Sequence, residues 1–359
     1  MLNNESNLTS LADEMATRPT KLVGRNVWKV FGAHPERFFQ DGRVPTAEEI
    51  LEHGHVPANI DANVEVKAGE TFVLMGLSGS GKSTLLRCLA QLAPPTHGAI
   101  LLDGENLAEM SEKDLREVRR KKMSMVFQHF ALLPFRTVLQ NIGFPLEVQG
   151  LPAGQVENRA REALDLVGLS GFENRLPREL SGGQQQRVGI ARSLVNDPDV
   201  WFLDEPFSAL DPLIRLDLQE EVKALKARLQ KTTVFVTHDL DEAVRLADRI
   251  AIMQDGRIIQ TGTPEECVMN PATDYVRRFT ASVSKIKVAR IGSAMRAEDA
   301  NLSADAPVLS ASDLVSEQLR TILTSGSVFR VVNQSGKSVG QIGSAEVVDL
   351  LQATREERS

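Results

Sequence analysis

Short, unbroken runs of apolar residues alternate along this chain with longer stretches in which apolar residues recur at helical spacing. The run at 71–75 (TFVLM) is almost wholly apolar, as is typical of a strand buried on both faces. Similar runs at 200–203 and 233–237 lead into helical patterns at 212–229 and 240–247. This alternation predicts an α/β fold with a mostly parallel sheet and a ligand at the carboxyl ends of its strands.

Turn residues and prolines organise the remaining segments. A strand at 64–68 precedes the run at 71–75, and the Asp-Gly pairs at 103–104 and 255–256 predict hairpins at 100–104 and 250–260. These hairpin strands predict an antiparallel β piece beside the parallel sheet. From about 136 to 180 the chain is helix-rich and interrupted by prolines, so we expect an inserted helical subdomain there.

Composition divides the chain into four parts. Residues 1–19 are polar and have neither the basic nor the apolar region of a secretory signal, so they are expected to be a tail. The α/β pattern occupies 20–283. Residues 284–305 are rich in Ala, Ser and Asp, which predicts a linker, and a strand, turn, strand and helix pattern at 306–354 predicts a small α+β module.

Charge and length exclude several classes of protein. The 359 residues carry 41 basic and 48 acidic side chains, a net charge of −7, which argues against nucleic acid as a partner. No window approaches the roughly 18 consecutive apolar residues that a membrane span needs. The two cysteines, Cys88 and Cys267, have no metal-ligand spacing and are interpreted as reduced thiols.

A phosphate-binding loop follows the first buried strand. Residues 76–84 (GLSGSGKST) satisfy the pattern G-x-x-x-x-G-K-S and lie between the strand at 71–75 and a predicted helix at 83–90. We expect Lys82 to reach the β- and γ-phosphates of ATP and the Ser83 hydroxyl to ligate Mg²⁺. The full predicted set is Gly76, Ser78, Gly79, Ser80, Gly81, Lys82, Ser83 and Thr84.

Two carboxylates end the apolar strand at 200–203. A buried strand that finishes in Asp204 and Glu205 is unusual for a purely structural element, because buried charge requires compensation. We expect Asp204 to hold Mg²⁺, directly or through water. Glu205 is then placed to accept a proton from the water that attacks the γ-phosphate.

Several further motifs indicate a function only when they are considered together and in their order along the chain. Taken singly, Gln128 and His238 are most simply polar residues at strand ends. The succession of GLSGSGKST, Gln128, LSGGQQQR (180–187), LDEP (203–206), SALD (208–211) and His238 resembles the nucleotide-binding subunit of ABC transporters over about residues 20–280. The resemblance implies a P-loop NTPase (RecA-like) core and a homodimer in which each subunit completes the ATP site of the other.

The resemblance also implies a role for individual residues. Phe31 corresponds to the aromatic residue that stacks on adenine, with Trp28 as a competitor for that role. Gln128 corresponds to the residue that senses Mg²⁺ and couples to the permease, and His238 to one that contacts the γ-phosphate. Asp211 corresponds to a residue on the dimer seam. The signature residues that grip the ATP of the second subunit are Ser181, Gly182, Gly183 and Gln184.

The segment after Phe31 indicates the kind of transporter. Residues 32–62 are longer than the connection in most import ATPases and include a predicted helix at 46–52. With the stretches at 116–150 and 211–221, they resemble the glycine betaine/proline (quaternary amine) uptake family. An alternative interpretation is a surface insertion without consequence. Residues 306–354 look like one cystathionine-β-synthase-type (CBS-type) repeat, either regulatory or only dimerising.

The sequence therefore predicts an ATPase on the cytoplasmic face of the inner membrane that energises import of a small osmolyte or quaternary amine. Its expected partners are transmembrane permease subunits and, through them, a solute-binding protein. Alternatives are import of another amino acid such as histidine and, less favoured, a non-transport ABC ATPase. Those usually have two cassettes or a long coiled-coil insertion, whereas this chain has neither.

Overall fold

A computed structural model describes residues 17–299, 302–303 and 305–356, with the side chains of 353–356 excepted. Most of the predicted polar tail, residues 1–16, lies outside the described residues. The chain divides into two compact units. The first unit contains residues 19–242 and 253–258, and the second contains 243–252 and the chain from 259 onward.

A parallel sheet forms the centre of the first unit. Its strands β3 (Thr71–Gly76), β8 (Thr232–Val236), β7 (Val200–Asp204) and β6 (Met123–Val126) are hydrogen-bonded in that order. Every residue of β3, β7 and β8 is buried, which explains their largely apolar sequences. Helices α2 (Lys82–Leu89) and α7 (Pro212–Leu229) follow β3 and β7. The predicted α/β P-loop arrangement is confirmed.

An antiparallel sheet in the same unit has the order β2-β1-β4-β5. It contains β1 (Thr20–Phe31), β2 (Val56–Lys67), β4 (His97–Leu102) and β5 (Glu105–Asn106). The strand expected at 64–68 is only the end of β2, which is twelve residues long because it pairs with all of β1. The segment between β1 and β2 holds a 3₁₀ helix (Pro35–Gly42) and α1 (Ala47–Glu52), whose Phe38 and Ile50 pack with Trp28.

The remaining elements of this unit are helical. They are a 3₁₀ turn (Leu107–Glu109), α3 (Glu112–Lys121), α4 (Val138–Val148), α5 (Ala153–Leu166), a second 3₁₀ turn (Pro177–Glu179) and α6 (Gly182–Leu194). Residues 136–180 are all described and contain no strand, as the sequence predicts. Helix α6, expected at 185–194, begins earlier because Ser181 and Gln184 form a capping box at its start.

Three elements carry residues of both units: α8 (Leu240–Leu246), β9 (Arg249–Gln254) and β10 (Arg257–Gly262). The second unit continues with α9 (Pro264–Met269), α10 (Asp274–Thr280), α11 (Lys285–Val288) and α12 (Ile291–Ala294). It ends with β11 (Val308–Ser310), α13 (Val315–Ser325), β12 (Phe329–Val332), β13 (Ser338–Ile342) and α14 (Ser344–Glu356). Strand β12 pairs parallel to β11 and antiparallel to β13.

The segment 284–305, expected from its composition to be a linker, instead contributes to the core of the second unit. Helices α11 and α12 lie in it, and Ile286 and Ile291 are buried together with Phe329 and Ile342 of the terminal module. The Val315 N–H donates a 2.9 Å hydrogen bond to the carbonyl of Ala289. A few aliphatic residues of the segment are buried in this core, although its overall composition is polar.

No helix in the described part of the chain combines the length and the apolar character that crossing a bilayer requires.

Candidate active site

The phosphate loop connects the end of β3 to the start of α2 in a shape that only glycine accommodates at two positions. Gly76 and Gly81 have φ of 146° and 97°. A Cβ atom on Gly76 would lie 2.3 Å from the Met253 carbonyl oxygen, and one on Gly81 would lie 2.3 Å from that of Ala58. The loop glycines are therefore required by backbone conformation and by close approach. The N-terminus of α2 faces the loop and favours an anion there.

Lys82 is folded into its own loop. Its Nζ donates hydrogen bonds of 2.9 Å each to the carbonyl oxygens of Gly76 and Leu77, and the residue is buried. Burial lowers the pKa of its ammonium group, and the nearby carboxylates of Glu205 and Asp204 oppose this effect. The positive charge is thus held against the loop that is shaped for phosphates.

The side chains of Ser83, in the first turn of α2, and Asp204, at the end of β7, are in contact. The Ser83 hydroxyl donates a 2.7 Å hydrogen bond to Asp204 Oδ1, and Arg87 Nη2 lies 3.3 Å from Asp204 Oδ2. Asp204 is buried, so the arginine compensates its charge. A hydroxyl and a carboxylate are hard oxygen ligands, and Mg²⁺ in nucleotide sites takes one or two protein ligands together with phosphate oxygens. The two residues therefore fit a Mg²⁺ site.

Glu205 and His238 form a pair next to Asp204. Glu205 Oε2 lies 3.1 Å from His238 Nδ1, and the Glu205 backbone N–H donates to the Val236 carbonyl at 3.0 Å. Glu205 has φ of 45°, which is uncommon for a residue with a side chain, and such conformations concentrate at functional sites. The structure brings these residues together, although the sequence places them 33 positions apart.

The signature residues begin helix α6. The Ser181 hydroxyl accepts a 3.3 Å hydrogen bond from the Gln184 N–H, and Gln184 Oε1 accepts one of 2.9 Å from the Ser181 N–H. Gly183 is buried, and a Cβ on it would come within 2.6 Å of an Ile214 methyl group. Ser181 is exposed at the helix start, where the backbone N–H groups favour an anion.

The aromatic candidates differ in accessibility. Phe31 ends β1 and is 49% exposed, whereas Trp28 is 3% exposed and contacts the Phe39 ring edge-on at 5.5 Å. Trp28 is buried in the core, so neither face of its ring is accessible to the adenine base of a nucleotide. Gln128 is exposed beyond the end of β6, and Asp211 is exposed at the start of α7.

Several residues of the site carry no motif and were missed by sequence reasoning. Asn59 Nδ2 donates a 3.0 Å hydrogen bond to the Gly81 carbonyl, and Arg87 approaches Asp204 as described. Arg87 follows Ser83 by four positions on α2, a spacing that puts both side chains on one helix face and provides a detectable signal. Asn59 has no such signal, because it lies on β2, far from the loop in sequence.

A phosphate loop followed by a helix, with its serine against the carboxylate at the end of another strand of the same parallel sheet, defines a P-loop nucleoside triphosphatase. The family model described as ABC transporter matches residues 60–208. The chain is 49% identical over 325 residues to the trimethylamine N-oxide transport system ATP-binding protein of Pelagibacter ubique (strain HTCC1062), covering 90% of this chain and 95% of the relative. It is 50% identical over 283 residues to the glycine betaine transport ATP-binding protein of Bacillus subtilis (strain 168), covering 78% and 67%.

A solved structure gives the same assignment. A dimeric ATP-binding cassette in a post-hydrolysis state, bound to ADP and Pi, matches with a TM-score of 0.57 and 33% identity. The match covers 68% of this chain and 98% of that chain. The present chain belongs to the ABC transporter family, and it is an ATP-binding, ATP-hydrolysing enzyme of that family.

Proposed function

We propose that this chain is the ATP-hydrolysing subunit of a membrane importer for a small methylated-amine osmolyte. The observation that carries the proposal is the extent of similarity to such proteins. The relative named for trimethylamine N-oxide transport aligns with 90% of this chain, beyond the part that the cassette model matches. Relatives named for glycine betaine transport align with 73–78% of it at 50–51% identity.

The site residues have distinct roles in the proposed hydrolysis. Ser83 and Asp204, with Gln128, hold Mg²⁺, which neutralises charge on the phosphates when bound. Lys82 binds the β- and γ-phosphates. Glu205 accepts a proton from water as the water oxygen attacks the γ-phosphorus and the bond from that phosphorus to the β–γ bridging oxygen breaks, giving ADP and phosphate. His238, held by Glu205, contacts the γ-phosphate.

The proposed working unit is a homodimer in which two ATP molecules lie between subunits. Phe31 stacks on adenine and residues 76–84 bind the phosphates, while Ser181, Gly182, Gly183 and Gln184 of the second copy close the site. Asp211 lies on the seam. Ser181 supports this arrangement, because it caps the start of α6 and is exposed, so that a second subunit can reach this end of the helix. Nucleotide binding then closes the dimer, and hydrolysis reopens it.

Transport requires partners that this chain meets at the membrane. We place the subunit peripherally on the cytoplasmic face, with Gln128 coupling it to transmembrane permease subunits. A solute-binding protein delivers the cargo to the permease from the opposite side. Nucleic acid is not among the proposed partners, consistent with the net charge of −7.

The terminal segment 306–354 is proposed to be a single CBS-like module, either regulatory or only dimerising. Its element order of β11, α13, β12, β13 and α14 supports the proposal, as does its own buried core, which includes Val315, Ile322 and Val331. Residues 284–305 are proposed to connect the ATPase domain to this module while Ile286 and Ile291 pack in the core of the module.

A second candidate cargo is an amino acid. A methionine import ATP-binding protein of Staphylococcus haemolyticus (strain JCSC1435) is 46% identical, but the alignment covers only 61% of this chain and 64% of that relative. Histidine belongs to the same class. The methylated amines are favoured because similarity to the relatives named for them extends over more of this chain.

The experiment is a reconstitution of the subunit with its permease and solute-binding protein in vesicles. We expect ATP hydrolysis to rise when the binding protein is loaded with trimethylamine N-oxide or glycine betaine, and to stay at the basal rate with methionine or histidine. The variant E205Q in the same vesicles is the control for background hydrolysis. Stimulation by an amino acid alone would contradict the proposed cargo, while leaving the ATPase assignment intact.

A further inference from the structure

Helix α7 is joined to the segment that follows His238 by two side-chain contacts one helical turn apart. Arg215 Nη1 lies 3.8 Å from Asp239 Oδ2. Gln219 Nε2 donates a 2.9 Å hydrogen bond to Glu242 Oε1. Gln219 and Glu242 are 3% and 5% exposed, so this second contact is closed to water. The two contacts hold both ends of the segment 239–242 against α7.

Arg215 also reaches back to the loop that precedes α7. Its Nη2 donates a 3.2 Å hydrogen bond to the Leu210 carbonyl, and its backbone N–H donates one of 2.9 Å to the Asp211 carbonyl. Its Nε is buried and has no hydrogen-bond partner among the residues that the structure describes. An unsatisfied buried N–H group is costly, so the position of this guanidinium calls for an explanation.

Asp239, which faces Arg215, is also hydrogen-bonded to the residues on either side of it in the sequence. Its backbone N–H donates a 3.0 Å hydrogen bond to Thr237 Oγ1, and its Oδ1 accepts one of 3.2 Å from the Glu242 N–H. These bonds enclose His238 between two anchored residues. The contacts of Arg215 and Asp239 thus form a continuous connection from Leu210 and Asp211 to the residues on either side of His238.

We infer that Arg215 is a positioning residue that fixes the position of His238 relative to Asp211. Docking of a second subunit along Asp211 therefore changes the geometry of the His238–Glu205 pair. The inference rests on the proposed roles of Asp211 at the seam and of His238 at the γ-phosphate. Arg215 is not among the residues proposed to bind the nucleotide or to react. It acts by joining the loop at 208–211 to the start of α8.

The test compares steady-state ATP hydrolysis of the full chain and of five variants: R215A, R215K, R228A, D239N and R215A/D239N. In R215A we expect kcat to fall about tenfold to a hundredfold, as is typical when a reacting group is displaced by about 1 Å. ATP binding by the single subunit and the melting temperature should stay at the wild-type values. R215K should recover part of kcat, because an ammonium can pair with Asp239 but cannot hold the Leu210 carbonyl at the same time. R228A, which removes an exposed arginine of the same helix, is the matched control.

A double-mutant comparison separates positioning from a general structural effect. D239N keeps an oxygen for the Glu242 N–H but removes the charge that faces Arg215. We expect R215A/D239N to be no slower than R215A, because both changes break one connection. Multiplicative losses, a wild-type kcat in R215A, or loss of ATP binding in parallel with kcat would each overturn the inference. Absence of hydrolysis by the wild-type chain would instead count against the proposed function.

Discussion

The hydroxyl of Ser83 and the carboxylate of Asp204 are joined by a 2.7 Å hydrogen bond between residues 121 positions apart. One belongs to the helix that follows β3 and the phosphate loop, and the other ends β7, which is separated from β3 by β8 in the sheet. Both are oxygen ligands of the kind that Mg²⁺ prefers. Their contact brings two separate sequence motifs together, and the two oxygen-bearing side chains fit a Mg²⁺ site.

The first prediction concerns this contact. D204N removes the carboxylate that is proposed to ligate Mg²⁺ and leaves Arg87 without its ion-pair partner. We expect the affinity for ATP with Mg²⁺ to fall about tenfold or more, whereas the affinity for ATP with a chelator changes little. Titration of a fluorescent ATP analogue under both conditions measures this. S83T, which retains the hydroxyl, serves as the control, and an equal loss under both conditions would argue against a magnesium role.

The second prediction concerns Glu205 as proton acceptor. E205Q keeps the shape of the side chain and an oxygen that can face His238, but it cannot accept the proton. We expect hydrolysis to fall about a hundredfold to ten-thousandfold, because proton transfer by a positioned base contributes a factor of that size. Phosphate release gives the rate, and gel filtration with ATP should show an accumulated dimer. Undiminished turnover would eliminate Glu205 as the base.

The third prediction concerns the signature at the start of α6. S181R places a bulky side chain at the exposed end that is proposed to meet the ATP of the second subunit. Hydrolysis should be lost while each monomer still binds ATP, because the phosphate loop is untouched. S111R is a matched control, since Ser111 caps α3 in the same manner. Its stability should fall by about 1 kcal/mol with activity retained. Full activity in S181R would contradict a site shared between subunits.

The fourth prediction concerns recognition of adenine. F31A should weaken ATP binding by about tenfold, as base stacking on an aromatic side chain contributes about 1–3 kcal/mol. F31W should retain the affinity. F135A is the control, because Phe135 is 94% exposed and has no proposed contact with nucleotide. Calorimetric titration with ATP distinguishes the variants. If F31A bound ATP as tightly as F135A does, the residue that stacks on adenine would not be Phe31.

The fifth prediction concerns pH and the buried Glu242. Burial raises its pKa to about 7, and the carboxylate of Asp239 adds to this, while hydrogen bonds from Thr237 and Gln219 and the charge of Arg215 oppose it. Because the folded pKa lies above the ordinary 4.5, the unfolded chain ionises first as pH rises. Wild-type stability is therefore lost between about pH 4.5 and 7, by about 3 kcal/mol in all.

E242Q cannot ionise and should escape this loss. Its melting temperature relative to wild type should rise between about pH 4.5 and 7 and then level off. The control is E48Q, a change at an exposed glutamate of α1. A constant difference between E242Q and wild type across that range would show that Glu242 does not titrate there.

The core strands and the phosphate loop were predictable because their signals are local. A strand buried on both faces needs an unbroken apolar run, as at 71–75, and a loop that wraps phosphates needs glycines at fixed positions, as at Gly76 and Gly81. The helix after Ser181 was also predictable, although its start was placed three residues too late. The capping box that begins it depends on side-chain hydrogen bonds rather than on periodicity.

Other features were not available from local patterns. Composition at 284–305 indicates a linker, but its few aliphatic residues meet partners more than twenty positions away and become core. Trp28 and Phe31 are both aromatic residues of one strand, and only packing against Phe39 shows which is buried. The contact of Arg215 with Asp239 joins a helix to a loop beyond the next strand, with no motif at either end.

The sequence by itself determined that this chain binds ATP in a P-loop core, since that chemistry is encoded in contiguous residues whose conformation and spacing are local. The tertiary structure alone decided which distant side chains share the site. Asn59 against Gly81, Arg87 against Asp204 and Arg215 against Asp239 depend on how strands and helices are ordered in space. That order is set by packing over the whole core, which no short segment of sequence contains.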